Sequence, residues 1–292
     1  MKIVNLENIS RKFRTKTALW DVSFSMEQGD FLILFGADDA GKTTLLHILM
    51  GFDRDYEGQA QVLGMDPLDW GKEERSLVRF VPDGIVQEAM TGAAYLAMAS
   101  EAAARYDRKL EKKLCDKLHL PIEEPLLAMT YQENKLIQIV AAVCAKPMLL
   151  ILDEPKNFLG KAGYSLLLKL LVMWNQAGMS ILLVTEKYSH GEGCGKHYAY
   201  LKEGELVKWD NVNPQECRKK AVTFRGEPKG SASILQGRVR GIIGKRTDER
   251  TYLYEGSMNE LPQLIDEVGA RDFIVEELTL EEEIDRDYSR WK

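Results

Sequence analysis

Residues 31–49 read FLILFGADDAGKTTLLHIL, and the expected architecture of the chain is built outward from this pattern. The first five residues are apolar and predict a buried strand, whereas the apolar residues after Thr43 recur at helical spacing. The loop between them, Gly36 to Thr43, fits the pattern G-x-x-x-x-G-K-[ST]. In that pattern, backbone amides and the N-terminus of the following helix surround phosphate groups. The stretch therefore predicts a strand, a phosphate-binding loop and a helix in that order.

The residue types in this loop have separate tasks in binding a nucleotide. Gly36 and Gly41 allow a tight backbone curl that directs amide groups at phosphate oxygens. Lys42 places a positive charge at the β- and γ-phosphates, and the hydroxyl group of Thr43 serves as a Mg²⁺ ligand. The predicted nucleotide-binding residues of the loop and the helix start are Gly36, Ala37, Asp38, Asp39, Ala40, Gly41, Lys42, Thr43 and Thr44.

A second motif, LLILDEP at residues 149–155, reads as a buried strand that ends in two acids. Asp153 at the end of such a strand would hold Mg²⁺, directly or through water. Glu154 would orient or deprotonate the attacking water, which makes it the predicted catalytic residue. The alternative is a chance glycine-rich turn beside an ordinary acidic strand end, but both motifs have the flanking residues that the functional interpretation requires. Together they predict ATP and Mg²⁺ as cofactors.

The composition indicates a soluble globular chain with room for one large and one small domain. Of the 292 residues, 45% are hydrophobic and 29% are charged. No apolar run reaches the roughly 18 residues that a membrane span needs, and we expect no signal peptide because the chain begins on a strand-like alternation. A net charge of −6 argues against affinity for nucleic acid. The four cysteines are widely spaced, which is typical of free thiols in a reducing cytoplasm.

Beyond these two motifs, the order of segments resembles the nucleotide-binding subunit of ABC transporters. Residues 8–24 look like the opening strands of that family, and residues 181–208 look like the strands that close its core. The long stretch between the two motifs leaves room for the inserted helical subdomain of the family, which we place at about residues 84–146. The resemblance implies an α/β fold, a P-loop NTPase core with a parallel sheet, in an ATP-binding domain of residues 1–223.

The C-terminal part resembles an accessory element. Residues 224–292 are similar to the small α+β domain on ATPase subunits of some bacterial exporters with separate permease chains. The polar stretch 224–231, which contains Gly and Pro, is the predicted linker. Thr279 begins a capping-box pattern that predicts a helix after it. The expected elements of this domain are strands at 238–243, 251–255 and 273–278 and helices at 258–268 and 280–288.

The resemblance also implies how the nucleotide and the partners are bound. Phe13 falls where the family places an aromatic ring that stacks on adenine, whereas a strand-edge ring packed into the core is the structural alternative. The expected partners are a membrane permease subunit and a second ATP-binding subunit, with a heterodimer favoured over a homodimer, and no nucleic acid. Such a chain is cytoplasmic and lies on the inner face of the cell membrane through its permease.

Acidic residues replace other residue types of the family at three positions around the phosphates. Asp38 and Asp39 stand where the family has Asn and Gly. Asp tolerates a left-handed backbone, but two carboxylates near a triphosphate are expected to weaken its binding unless they point outward or pair with bases. Asp83 stands where a glutamine senses Mg²⁺ and the permease. It serves either as a Mg²⁺ ligand or as a simple turn residue between Pro82 and Gly84.

Three further motifs of the family lack their functional group. Residues 129–133 (Met-Thr-Tyr-Gln-Glu) replace the signature Leu-Ser-Gly-Gly-Gln. Thr130 keeps a hydroxyl group that can cap a helix, but the side chain of Gln132 is expected to obstruct the backbone approach to a γ-phosphate. Gly160 replaces the aspartate of the loop that couples the two sites of a dimer. A Thr-Glu pair at 185–186 replaces a Ser-His pair.

The predicted function is that of an ATP-binding subunit of an ABC transporter complex, which couples nucleotide-driven dimer closure to a membrane permease. The missing groups predict slow or impaired ATP hydrolysis, since each lost transition-state contact costs about 10²-fold in rate. The sequence leaves open whether the chain is an ATPase alone or only with a partner. The alternative is a non-transport module in which a bound nucleotide gates regulation or binding of another molecule.

Overall fold

The computed structural model describes residues 1–211, 220–225, 239–246, 249–254, 261–262, 265 and 273–278 of the chain. The chain divides into two compact units, Met1–Val212 and Asn213–Lys292. Both sequence motifs, the phosphate-loop pattern and the acidic strand end, lie in the first unit. That unit therefore contains every residue predicted to bind nucleotide or metal.

Three antiparallel strands form one sheet of the first unit, in the order β2–β1–β4. β1 spans Lys2–Lys12, β2 spans Thr17–Glu27 and β4 spans Glu57–Val62. Alternate apolar residues of β2, including Val22 and Phe24, are buried in the core. This alternation is typical of a sheet that has one buried and one exposed face.

A six-stranded sheet with the order β5–β6–β7–β3–β8–β9 forms the centre of the same unit. The first five strands run parallel, and β9 is antiparallel to β8. The strands are β3 Phe31–Phe35, β5 Val78–Val81, β6 Leu149–Asp153, β7 Ser180–Thr185, β8 His197–Lys202 and β9 Glu205–Asn211. Every residue of β3, β6 and β7 is buried, which explains why these strands are predominantly apolar in sequence.

The strand order places the two sequence motifs at one edge of this sheet. β7 lies between β6 and β3, and the three strands are parallel to each other. Because their carboxyl ends meet at the same edge, the loop after Phe35 and the acids Asp153 and Glu154 flank the end of β7 at Thr185. Ligands of open α/β sheets bind outside this carboxyl edge.

Helices connect the strands and fill the predicted insertion. α1 (Lys42–Leu49) follows the phosphate loop, α2 (Lys72–Leu77) precedes β5, and α6 (Lys161–Gln176) joins β6 to β7. Between β5 and β6 the chain forms α3 (Gly92–Glu101), α4 (Arg108–Leu118) and α5 (Tyr131–Cys144), which lie within the predicted helical subdomain. Within the described part of the chain, no helix has both the length and the apolar character of a membrane span.

One hydrophobic cluster joins the two sheets and α1. It contains Ile9 and Val22 of the antiparallel sheet, Ile151 of the central sheet, and Leu45 and Leu49 of α1. The helix that follows the phosphate loop is therefore fixed by apolar contacts on its buried side. The predicted α/β fold, with a parallel sheet and a helical insertion, is confirmed.

The second unit contains an antiparallel sheet with the order β11–β12–β10–β13. Its strands are β10 Lys220–Arg225, β11 Val239–Arg246, β12 Glu249–Tyr254 and β13 Phe273–Glu277. Phe224 and Tyr252 share a small hydrophobic core with Leu261 and Ile265, and both of the latter residues are helical. The described residues of this unit are those of an α+β arrangement.

The division between the two units differs from the predicted one. The predicted domain boundary follows residue 223 and the predicted linker begins at Phe224, yet both positions lie inside β10. Because β10 pairs with β12 and β13, the second unit begins before it, after Val212. These pairing partners lie far along the chain, so local sequence does not reveal them. The predicted helix that starts after Thr279 falls outside the described residues.

The buried strand β6 provides a test of the core. We expect Ile151→Ala to lower the free energy of unfolding by about 2–5 kcal/mol, because the change leaves a cavity among fully buried neighbours. Urea unfolding followed by circular dichroism measures this loss. The matched control is Leu127→Ala, at a side chain that is 60% exposed; we expect it to cost less than about 0.5 kcal/mol. Equal losses for the two variants would contradict the assigned core.

Candidate nucleotide-binding site

Steric contacts require glycine at two positions of the phosphate loop. A Cβ atom on Gly36 would lie 2.1 Å from the carbonyl oxygen of Leu201, so no side chain fits there. Gly41 has a left-handed backbone with φ +102°, and a Cβ atom on it would lie 2.4 Å from the carbonyl oxygen of Ala18. The loop thus passes β2 and β8 at a distance that only glycine allows.

Lys42, the first residue of α1, is buried, and its ammonium group contacts three oxygen atoms. Nζ donates hydrogen bonds to the carbonyl oxygens of Gly36 at 2.6 Å and Ala37 at 3.0 Å. It also lies 3.4 Å from Oε1 of Glu154, in an ion pair whose side chains are 8% and 11% exposed. The fold therefore brings together the predicted phosphate-binding lysine and the predicted catalytic acid, which come from separate motifs.

The two aspartates of the phosphate loop are exposed. Asp38 is exposed as a residue, and the side chain of Asp39 is 90% exposed. Asp39 adopts the left-handed conformation, with φ 62°, and its carboxylate lies 3.5 Å from Nζ of Lys16. Outward orientation and pairing with a base are both present for Asp39. The other predicted loop residues differ in exposure, with Ala37 and Thr43 exposed, Thr44 half-buried and Ala40 buried.

Asp153 and Glu154 are two buried carboxylates at the end of β6. Their exposed fractions are 4% and 8%. Burial raises the pKa of Asp153 to about 6, and the carboxylates of Asp83 and Glu154 contribute, whereas Lys42 and Lys135 act in the opposite direction. Burial also raises the pKa of Glu154 against the opposing effect of Lys42. Both acids therefore lie where an added positive charge is favourable.

Asp83, on the loop after β5, lies beside these acids. The residue is exposed, and its carboxylate accepts long hydrogen bonds from Nδ2 of Asn157, at 3.4 Å to Oδ1 and 3.5 Å to Oδ2. Its negative charge contributes to the raised pKa of Asp153, so the two carboxylates are close enough to interact. Asp83 is therefore an exposed carboxylate close to the buried Asp153.

A buried lysine behind the acids is absent from the sequence predictions. Lys135 of α5 is fully buried; its Nζ donates a hydrogen bond to the carbonyl oxygen of Pro82 at 2.6 Å and lies 4.6 Å from the ring centre of Phe158. Burial lowers its pKa to about 8, while Asp83 and Asp153 act in the opposite direction. The available signal was a charged residue in a mostly apolar helix, because a buried lysine needs polar partners.

Phe13 lies on the turn between β1 and β2, and a cation covers one face of its ring. The ring is 45% exposed, and the guanidinium carbon of Arg11 lies 4.4 Å from its centre. Nε of Arg11 is itself fixed by Asp53 at 2.8 Å. The N–H of Phe13 donates to the carbonyl oxygen of Lys16, whose ammonium group contacts Asp39 of the loop. The side chain is therefore accessible at the surface and is not buried in the core.

Similarity to known proteins agrees with this geometry. A solved structure of a dimeric ATP-binding cassette, bound to ADP and phosphate, matches with a TM-score of 0.64 and 19% identity, over 72% of this chain and 99% of that one. This match supports the P-loop NTPase fold. The spermidine/putrescine import ATP-binding protein PotA of Chromobacterium violaceum is 26% identical, over 84% of this chain and 69% of its own length.

Two further matches point to the ABC transporter family. An ABC transporter ATP-binding protein of Methanocaldococcus jannaschii is 29% identical, over 75% of this chain and 80% of its own length. The family model described as ABC transporter matches residues 19–157, which include both motifs. The chain is similar to the ATP-binding proteins of ABC transporters over both motifs.

The segment predicted to replace the signature of ABC proteins lies at the start of α5. Oγ1 of Thr130 accepts the N–H of Glu133 at 3.3 Å, and Oε2 of Glu133 accepts the N–H of Thr130 at 2.9 Å, so the predicted helix cap is confirmed. Oε1 of Gln132 accepts the N–H of Gly160 at a long 3.4 Å. The side chain of Gln132 is therefore directed at the loop before α6.

The end of β7, where ABC proteins carry a Ser-His pair, supports Glu154 through its backbone. Thr185 is fully buried, and its hydroxyl group donates to the carbonyl oxygen of Lys187 at 2.9 Å. Glu186 is exposed, and the ammonium group of Lys187 lies 3.8 Å from its carboxylate. A hydrogen bond from the backbone of Glu186 favours the charged form of Glu154 and lowers its pKa. Neither Thr185 nor Glu186 is a cation.

The raised pKa of Asp153 predicts a pH-dependent penalty on stability. The carboxyl group titrates near its ordinary value of 3.8 when unfolded and near 6 when folded. Between these values the folded state binds more protons than the unfolded state, so stability from this group is lost as pH rises through 6. With Mg²⁺ removed by a chelator, we expect Asp153→Asn to raise the free energy of unfolding by about 1–3 kcal/mol at pH 7.5 and by less than about 1 kcal/mol at pH 4.

The control for this measurement is Asp38→Asn. Asp38 is exposed, so its substitution is expected to change stability equally little at both pH values. Urea unfolding of the wild type and of both variants at pH 4 and pH 7.5 gives the change in free energy of unfolding for each variant at each pH. A gain for Asp153→Asn that is the same at pH 4 and pH 7.5 would show that the buried charge is not its cause.

Proposed function

We propose that this chain is the ATP-binding subunit of an ABC transporter complex, in which ATP binding closes two such subunits against each other on a membrane permease. The observation that carries the proposal is the ammonium group of Lys42. It is buried between two carbonyls of the phosphate loop and the carboxylate of Glu154. The loop itself takes a path that requires Gly36 and Gly41. These are the groups that hold phosphate oxygens in a P-loop protein.

A triphosphate would change the partners of Lys42. Phosphate oxygens carry full negative charge and are stronger acceptors for an ammonium group than the carbonyls of Gly36 and Ala37. When Lys42 turns to the phosphates, its ion pair with Glu154 weakens, and the carboxylate becomes available to orient a water molecule. A single ion pair would thereby link ATP binding to the catalytic acid.

The residues present fit Mg²⁺ that arrives together with the nucleotide. Among the described residues, no three His, Cys, Asp or Glu side chains converge to hold a metal ion alone. Mg²⁺ commonly takes one or two carboxylates and completes its shell with waters and substrate phosphates. Asp153 and Asp83 supply the carboxylates, and their mutual repulsion favours a cation between them. The hydroxyl group of Thr43 is the third proposed donor, and the bound ion would neutralise charge on the phosphates.

We also propose that the isolated chain hydrolyses ATP slowly. The Thr185-Glu186 pair offers no positive charge to a γ-phosphate, and Gly160 carries no carboxylate. Gln132 has a side chain where the family signature has a glycine, directed at the loop of Gly160. Each lost contact to a transition state costs about 10²-fold, although such losses do not simply add. The chain keeps the groups that bind ATP and lacks those that complete its cleavage.

The proposed partners are a permease and a second ATP-binding subunit. The similar cassette is a dimer in its solved structure, and the relative PotA is named for an import system. Tyr131 and Leu127, which are 67% and 60% exposed, present apolar surface near the start of α5. Because this chain lacks several groups that complete ATP cleavage, a heterodimer with an ATP-binding subunit that has them is favoured over a dimer of two copies of this chain. The permease would hold the chain at the cytoplasmic face of the membrane.

The role of Lys42 yields the first functional test. We expect the purified chain to bind ATP in the presence of Mg²⁺ and Lys42→Ala to weaken this binding by about tenfold or more, because the buried cation facing the phosphates is lost. Isothermal titration calorimetry gives the affinities, and a phosphate-release assay gives the turnover. We expect turnover below about 0.1 s⁻¹, under the range of typical enzymes.

Lys16→Ala is the matched control, since its ammonium group pairs only with the exposed carboxylate of Asp39 among the ion pairs of the described residues. An exposed pair contributes little, so this variant should keep the affinity within about twofold. Equal binding by wild type and Lys42→Ala would contradict the assigned phosphate site. Brisk turnover that Lys42→Ala abolishes would contradict only the proposal of slow hydrolysis.

The exposed ring of Phe13 yields a second test. We expect Phe13→Ala to weaken ATP binding by about 1–3 kcal/mol, the scale of one base stacked on an aromatic ring. Inorganic triphosphate has no base, so its affinity should be unchanged by the substitution. Trp20→Ala, at another exposed aromatic residue, is the control and should alter neither affinity. A parallel loss of ATP and triphosphate affinity in Phe13→Ala would show that the ring acts on the loop and not on adenine.

A further inference from the structure

Three buried polar side chains of α5 hold the loop that follows β5. Asn134, Lys135 and Gln138 are 0%, 0% and 4% exposed, and we call them the α5 clasp. Each of them bonds to the backbone of the loop at residues 82–86. A buried polar side chain without a partner is costly, so the helix and the loop must keep this arrangement for all three to be satisfied.

Two of the three side chains fix the far end of the loop. Oδ1 of Asn134 accepts the N–H of Val86 at 3.0 Å, and its Nδ2 donates to the carbonyl oxygen of Val86 at 2.8 Å. Nε2 of Gln138 donates to Oδ1 of Asn134 at 3.0 Å and to the carbonyl oxygen of Gly84 at 3.4 Å. This part of the clasp is electrically neutral and resembles a strand-like pairing of side-chain amides with backbone.

Lys135 fixes the near end of the loop and a second segment at the same time. Its Nζ donates to the carbonyl oxygen of Pro82 at 2.6 Å and lies 4.6 Å from the ring centre of Phe158. Asp83 directly follows Pro82, and Asn157 directly precedes Phe158. The side chains of Asp83 and Asn157 are hydrogen-bonded to each other. One buried ammonium group thus anchors both segments that meet beside the acids of β6.

A charge at this position is not needed to fill space. An unbranched apolar side chain would occupy the same volume without the desolvation that disfavours the ammonium group. What compensates the charge is its surroundings: a carbonyl oxygen, the face of an aromatic ring, and the carboxylates of Asp83 and Asp153. The same carbonyl oxygen, ring and carboxylates belong to the segments that form the candidate site. The position of Lys135 and the positions of the acids therefore depend on each other.

We propose that Lys135 is a positioning residue of the metal site. Its ammonium group holds the loop at 82–86 and the segment at 157–158 together, so that the carboxylate of Asp83 stays beside Asp153, where Mg²⁺ would enter with ATP. The metal part of this inference rests on the proposed function. The anchoring part does not, because its contacts are formed within the chain alone.

The test uses the full chain with Lys135→Met, which preserves the length of the side chain and removes the ammonium group. Hydrogen–deuterium exchange without nucleotide reports the anchoring: amides in 82–88 and 156–160 should exchange about tenfold faster, as expected for the loss of a charged hydrogen bond. ATP affinity, measured with Mg²⁺ and with a chelator, reports the metal site. The factor by which Mg²⁺ increases the affinity for ATP should fall about tenfold, as for other residues that orient a metal ligand.

Affinity in the chelator should stay within about twofold of wild type, because Lys42 and the loop amides are untouched. Lys146→Met is the matched control: its ammonium group pairs with Asp107 at 2.8 Å, 56% of its side chain is exposed, and neither quantity should change. Phe158→Leu keeps the lysine but removes the ring under it, so a partial loss of both quantities is expected. This variant decides the question if Lys135→Met does not fold.

Unchanged exchange in 82–88 would overturn the anchoring. Faster exchange with an undiminished Mg²⁺ enhancement would overturn the positioning role and leave Lys135 as a residue of the fold only. Failure of the wild-type chain to bind ATP at all would overturn the proposed function, whereas the exchange rates would still support or overturn the anchoring.

Discussion

Charge balance at the carboxyl edge of the central sheet is the constraint on which the site depends. Asp153 and Glu154 have almost no contact with water, so the charge of Glu154 relies on Lys42 and that of Asp153 relies on Lys42 and Lys135. With Asp83, three carboxylates face two ammonium groups, and the surplus negative charge adds to the effect of burial on the pKa of Asp153. The phosphate loop with α1, and α5 with the loop after β5, each bring a lysine to these acids.

The features that sequence predicts well are those that a short motif encodes completely. The apolar strand, the loop and the helix of residues 31–49 form as expected, and Gly36 and Gly41 prove necessary because backbone of other strands comes too close for any side chain. Lys135 could not be placed in the same way. Its partners, a carbonyl after β5 and a ring after β6, are distant in sequence. For the same reason β10 is not apparent from its own residues. The strands that pair with it, β12 and β13, lie far along the chain.

The acidic substitutions show the intermediate case, in which sequence supplies the alternatives and the fold selects among them. Whether Asp39 repels a triphosphate depends on where its carboxylate points, and the fold leaves this side chain 90% exposed. The effect of Gln132 likewise depends on its rotamer. An extended side chain would block a phosphate, whereas the observed one bonds to the N–H of Gly160. Residue type alone carries no information about either choice.

The altered motifs differ physically from the retained ones. The hydrogen bonds of Lys42 and Lys135 are short, come from buried charged groups and are formed within one chain. The bond from Gly160 to Gln132 is long and lies between exposed residues, so it contributes little free energy and a stronger partner can replace it. A second subunit could therefore reorganise the altered segments at small cost but could not easily disturb the buried charges. Under the proposed function, the capacity to bind ATP would therefore belong to the chain, and the rate of ATP cleavage would be set by the complex that it joins.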